Sequence, residues 1–160
     1  MINIMINWSK ADDKIKKFNF IGQQKKGKVV SVYDGDTIKI VFPIYNNSTK
    51  LYKWTCRLSY IDTPEIRTKN LKEKELGIKA RDVLRDKILN KMVIIKCGDF
   101  DKYGRLLVEV FIQDKEDSIF NIFKKCFNYK TNDLYSINNW LLENNYAKNY
   151  NGGKKESWNI

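Results

Sequence analysis

The apolar period of this chain changes twice, and that excludes most folds. In "LYKWTCRLSYI" (51–61) the period is two. Tyr52, Trp54, Cys56, Leu58 and Tyr60 share one face, while Lys53, Thr55, Arg57 and Ser59 share the other, the pattern of a half-buried strand. Arg57 therefore points away from the apolar side of its own strand. From about Lys72 to Leu89 the period becomes helical, with Leu76, Ala80, Val83, Leu84 and Ile88 on one stripe. Gly77 interrupts that stretch and lowers its helix propensity by about 1 kcal/mol relative to Ala. Strand periodicity then returns in "MVIIKC" (92–97) and "RLLVEVFI" (105–112), joined by the turn-rich "GDFDKYG".

Upstream, "KKGKVVSVY" and "TIKIVFPIY" flank Asp34-Gly35, a strong short hairpin signal, and "NNSTK" (46–50) is the next turn. Downstream, "SINNWLLENNYAK" reads as a helix carrying Ile137, Trp140 and Leu141 inward. The order is strand-strand-strand-helix-strand-strand-helix. This predicts an α+β fold, a five-stranded OB-fold β-barrel with two to three packed helices. The third helix is expected behind an Asp117/Ser118 cap, where Ile119, Phe120, Ile122, Phe123 and Phe127 make an amphipathic pattern.

The 160 residues suit one domain, and 42% hydrophobic with 31% charged residues fits a soluble globular chain. No apolar run is long enough to span a bilayer. The N-terminus lacks a basic n-region and a small-residue cleavage site, so an intracellular location is expected over a secreted one. Cys56, Cys97 and Cys126 are odd in number and widely spaced, and read as buried free thiols. Lys and Arg outnumber Asp and Glu by 30 to 19, a net charge of +11 that favours a polyanionic partner. Histidine is absent, which removes catalytic triads, histidine-metal nuclease sites and ordinary histidine-containing zinc sites.

Three motifs remain, and singly each has a structural explanation. "DGD" is a hairpin turn with a spare acid. "DTPE" is a helix entry, with Thr63 as cap, Pro64 at the first helical position and Glu65 at the positive helix end. "DKYGR" is a polar connection. Together they bring chemistry. Asp36 starts one strand, Asp62 ends another, Glu65 follows three residues later, Arg57 precedes Asp62 by five, and Arg105 opens the fifth strand. In a barrel of this order those ends can converge at one rim. Two carboxylates and a backbone carbonyl suit a hard cation such as Ca²⁺ or Mg²⁺. Two arginines match phosphate oxygens bidentately, and a further carboxylate can orient or deprotonate water.

"YDGDTIKI", "RLSYIDTPE", "EKELGIKA" and "DKYGRLLVEV", in this order and spacing, resemble the staphylococcal nuclease family from about Val29 to Lys148. The resemblance implies an OB-fold, Ca²⁺-dependent phosphodiesterase acting on DNA and RNA and leaving 3′-phosphate and 5′-hydroxyl ends. It implies that Asp36 and Asp62 ligate the metal through carboxylates and Thr63 through its carbonyl, with Asp34 behind them. It implies that Arg57 holds the scissile phosphate, that Arg105 stabilises transition-state charge, and that Glu65 positions or deprotonates water. Lys102 and Tyr103 match positions that contact a terminal phosphate, and Tyr150 lies near, one step early from, the family's base-binding tyrosines. On this reading residues 1–24 form an N-terminal arm and 25–160 one nuclease domain with an insertion at about 113–135.

The chain also departs from the family pattern. Glycines occupy much of the base-pocket segment, and the family's long C-terminal helix has no counterpart. In a cytosol poor in free Ca²⁺, Mg²⁺ or Mn²⁺ could serve instead. Two readings stay open: a sequence-nonspecific nuclease acting as a monomer, or a non-catalytic OB module that binds nucleic acid or protein. Nothing in the chain looks like a base-reading helix. The intact set Asp36, Arg57, Asp62, Glu65 and Arg105 favours the nuclease.

Overall fold

The computed structural model describes residues 6–113, 134–153, 155, 157 and 158. Strands β1 (Gln24–Val32), β2 (Thr37–Pro43) and β3 (Leu51–Leu58) form an antiparallel meander. A two-residue strand β4 (Ile61–Asp62) precedes helix α1 (Leu71–Ile88). Strands β5 (Met92–Phe100) and β6 (Leu106–Gln113) follow, then β7 (Leu134–Ser136), helix α2 (Ile137–Glu143) and β8 (Lys148–Asn149). β1 pairs with both β2 and β5, β5 with β6, and β6 with β3 in parallel. That last pairing closes a five-stranded barrel, the OB-fold expected from the element order. β7 extends the sheet beyond β6, and β4 pairs with β8 in a small second sheet.

The interior holds Val29, Ile38, Ile40, Phe42, Cys56, Leu58, Ile95, Leu106, Val108 and Val110, with Leu84 and Ile88 of α1 and Ile137 and Leu141 of α2 sealing it. Such apolar burial supplies the dominant favourable term of folding. Phe20, which the sequence assigns to the arm, is fully buried and meets the rings of Phe42 and Trp54. Cys56 and Cys97 are buried free thiols, as expected. Burial pushes the Cys56 thiol well above its ordinary range and Cys97 up to about 11, so neither is a ready nucleophile. Cys126, the helix expected behind Asp117/Ser118 and most of the 113–135 insertion lie outside the described residues. Among the described residues no helix is long and apolar enough to cross a membrane.

Three local expectations need correction. The alternation of 51–61 stops at Leu58. Tyr60 turns outward with φ 63° and is 70% exposed, because the chain reverses there to start β4. In α1, Gly77 is buried and Leu76 is exposed, so the inward stripe runs Gly77, Ala80, Leu84 and Ile88. A helix packed this closely needs its smallest residue at the contact. Trp140 of α2 is only half-buried, and the helix stops at Glu143, well before Lys148.

Candidate active site

Strand register brings the motifs to one end of the barrel. Thr37 pairs with Arg57, and Leu58 N–H donates to the Asp36 carbonyl at 2.8 Å, so Asp36 lies beside Arg57. β6 runs parallel beside β3, and the Arg105 side chain at its start reaches across to the Thr37 hydroxyl, which brings it into the same site. The turn after Leu58 returns the chain through Ile61–Asp62. Asn138 of α2 holds this turn: its Nδ2 donates to the carbonyls of Ser59 and Val108, and its Oδ1 accepts from Val110 N–H. Asn138 is a buried polar residue whose role the sequence reading missed.

The Arg57 guanidinium is the hub. Its Nη2 lies 2.9 Å from Asp36 Oδ2 and 3.4 Å from Asp62 Oδ1, and its Nη1 donates to the carbonyls of Leu58 and Ile61. Although Arg57 sits on the polar side of its strand, it is only 7% exposed, because the two acids and the returning chain enclose it. Asp36 Oδ1 accepts from the Thr37 hydroxyl at 2.9 Å, and that hydroxyl oxygen accepts in turn from Arg105 Nη1 at 3.4 Å. The two arginines are thus linked through Asp36 and Thr37.

Arg105 is oriented by Asp101, whose Oδ2 accepts from Arg105 Nε at 2.7 Å and whose Oδ1 accepts from the N–H groups of Tyr103 and Arg105. Burial works against the Asp101 charge, but these hydrogen bonds outweigh it and hold its carboxyl below the usual range. Asp101 was legible only as part of DKYGR, with no task attached. Gly104 has φ 77° and closes this turn, a conformation that suits glycine.

In DGD, Asp34 Oδ1 accepts from Asp36 N–H and shapes the turn. Gly35 does not adopt positive φ; its value lies in close approach. A methyl group there would fall 2.8 Å from Thr63 Oγ1, so the turn can lie directly against Thr63. Gly77 acts similarly from α1, since a methyl group would fall 2.6 Å from the Pro64 carbonyl oxygen. Glu73 completes this support, accepting from Glu65 N–H through Oε1 and from the Thr68 hydroxyl through Oε2. The segment carrying Glu65 is therefore pinned to α1.

A cavity of about 750 Å³ opens over this rim. Nine of the ten residues singled out by sequence line it: Asp34, Asp36, Arg57, Thr63, Glu65, Lys102, Tyr103, Arg105 and Tyr150. The tenth, Asp62, lies behind them against Arg57. Tyr103 is exposed and carries Lys102 Nζ and the Arg105 guanidinium over its ring at 5.0 and 5.4 Å. The Tyr150 ring covers the Arg57 guanidinium at 5.3 Å.

Burial is the strongest influence on Asp36 and raises its pKa from 3.8 to about 6, helped by Asp34 and opposed by Arg57, the Thr37 hydroxyl and Lys155. Arg57 is shared between two acids and leaves negative charge uncompensated. A hard cation fits this donor set of carboxylates beside Thr63. Among the described residues, however, no three acids form a closed ligand cluster.

An unforeseen cation already engages the acids. Lys155 Nζ lies 2.8 Å from Asp62 Oδ1 and also bonds Glu65 Oε1. Burial disfavours its charge, but hydrogen bonds to Asp62 and Glu65 outweigh that and push its pKa up.

Fold and rim chemistry together define an OB-barrel domain of the nuclease-like class. Residues 55–157 match the family described as Staphylococcal nuclease homologue, and the chain belongs to that family. It is 31% identical over 144 residues to an uncharacterized protein of Methanocaldococcus jannaschii, covering 78% of this chain and 58% of that one. It is 33% identical over 88 residues to an uncharacterized endonuclease of Escherichia coli O157:H7, covering 55% and 49%. A Bacillus anthracis protein matches at 35% over 89 residues, covering 54% and 38%. The chain thus spans about half the length of the curated relatives it matches.

Proposed function

We propose that this domain is a metal-dependent, sequence-nonspecific nuclease that hydrolyses phosphodiester bonds of DNA and RNA and leaves 3′-phosphate and 5′-hydroxyl ends. The observation that carries this reading is the buried Asp36–Arg57–Asp62 cluster, with Arg105 and Glu65 in the same cavity. Family membership and the Escherichia coli relative named as an endonuclease support it.

In this reading Asp36, Asp62 and the Thr63 carbonyl hold the cation, Ca²⁺ by family resemblance and Mg²⁺ or Mn²⁺ where Ca²⁺ is scarce. The bound ion supplies Lewis-acid polarisation of the phosphate and a template for in-line attack. The chain's own residues do the rest. Arg57, fixed by four contacts, offers a preset donor to a phosphate oxygen. Arg105, aimed by Asp101, offers a second donor where charge accumulates in the transition state, and such preorganised donors are usually the largest single catalytic contribution. Glu65, which lines the cavity with its side chain more than half exposed, positions or deprotonates the attacking water. Lys102 and Tyr103 receive a terminal phosphate, Tyr150 packs beside the nucleotide, and Asp34 supports Asp36 through the turn.

The test is a cleavage panel of single-stranded DNA and RNA against Ca²⁺, Mg²⁺, Mn²⁺ and a chelator, with end-group analysis. Cleavage with 3′-phosphate ends is expected, lost in the chelator and in a folded Asp36→Ala variant. Products with 5′-phosphate ends would contradict the mechanism. Nucleic-acid binding without cleavage in any metal would make the domain a non-catalytic OB module.

A further inference from the structure

A lysine of the chain itself reaches two of the acids at the rim. The segment after α2 crosses the site and brings Lys155 onto Asp62 and Glu65 at once. Its path is built in. Tyr150 N–H donates to the Tyr60 carbonyl, and the Tyr150 hydroxyl donates to the Gly153 carbonyl at 3.0 Å. Gly152 and Gly153 turn the chain with φ 86° and 97°, where other residues are strained. Beyond Lys155, Lys148 Nζ donates to the Ser157 carbonyl and lies 4.7 Å from the Trp158 ring, so the segment is tied down on both sides of the lysine.

The charges of the cluster give this contact a consequence. When ionised, Asp36, Asp62 and Glu65 carry two more negative charges than Arg57 balances, which suits a divalent ion; Lys155 cancels one of them. An ammonium is a compact point charge with three donors, able to serve both carboxylates together. It takes Asp62 Oδ1, an atom of the proposed metal donor set. We propose that Lys155 is a functional residue of this site, a tethered cation that competes with the divalent ion for Asp62 and Glu65 and so sets the metal concentration at which the site loads. Loading then requires the Gly152–Gly153 turn to release the lysine, and the coupling is reciprocal: whatever holds Lys155 away tightens metal binding.

This inference rests on the reading of Asp36 and Asp62 as metal ligands, and the experiment separates the two. Ca²⁺ and Mn²⁺ are titrated calorimetrically into the full chain without nucleic acid, for the wild type, Lys155→Met, Lys155→Arg and Lys155→Met combined with Asp36→Asn, with near-ultraviolet circular dichroism checking each fold. Lys155→Met is expected to bind Ca²⁺ about fivefold more tightly, the effect of losing one partly exposed competing cation. Lys155→Arg should stay near the wild type. Wild-type-like or weaker affinity in Lys155→Met overturns the inference while leaving the metal reading intact. Equal tightening in Lys155→Arg also overturns it, since charge would not be the competitor. If no variant binds either ion, or if the double variant binds as tightly as Lys155→Met, the metal reading falls and the inference falls with it.

Discussion

Asp36 shows how a single residue is tuned against the fold that holds it. Its folded pKa of about 6 stands above its ordinary value of 3.8. Between those values the native state binds a proton that the unfolded chain has lost. The stability tied to the protonated form is complete below about pH 4 and is lost as pH rises through 6. Replacing Asp36 with Asn removes the ionisation while keeping the shape. The variant should therefore be more stable than the wild type at pH 8, with the gain vanishing near pH 3.5. Paired thermal melts at the two pH values measure this, and a less stable variant at pH 8 would refute it. Under the proposed mechanism the same variant should not cleave, the usual exchange of stability for a charged site. The place of Asp36 beside Arg57 was legible in DGD read beside R-x4-DTPE. Its pKa was not, because burial is a property of the packed barrel.

At the scale of elements, α1 and the β1–β2 turn act as supports for the segment between β4 and α1. Gly77 looked like a weak point in a helix. Its structural task is to admit the Pro64 carbonyl, while Glu73 holds the Glu65 N–H. Gly77→Ala gains about 1 kcal/mol of helix propensity but forces helix and segment apart, and overpacking typically costs about 1–3 kcal/mol. The net expectation is a modest loss of stability in urea unfolding. Under the proposed mechanism, turnover should fall by about tenfold or more, since small misplacements of catalytic groups are costly. A variant as stable and as active as the wild type would show that the contact yields without moving Glu65. Periodicity suggested Leu76 for this face because apolar stripes are read by residue type. The closest contact selects the residue with no side chain, which a hydrophobic pattern does not reveal.

For the whole molecule, the net charge of +11 favours a polyanion, and Arg57, Lys102 and Arg105 line the cavity beside the acids of the site. If each neutralises one phosphate, the affinity for single-stranded DNA should fall with salt at a log–log slope of about −2. Fluorescence anisotropy across a salt series with a cleavage-dead variant measures the slope, and salt-independent binding would refute the electrostatic account.

The order of elements, the OB barrel and the identities of the rim residues can be read along the chain, because hydrophobic period, turn chemistry and short motifs are local quantities. Packing in three dimensions buries Arg57 between two acids, lets Asp101 aim Arg105, sets Asn138 against the Ser59 turn and brings Lys155 onto Asp62 and Glu65. Lys155 lies 90 residues from Glu65 along the chain. Their contact depends on the barrel closing, on α2 docking and on two glycines turning the backbone, and no short-range pattern records that sum.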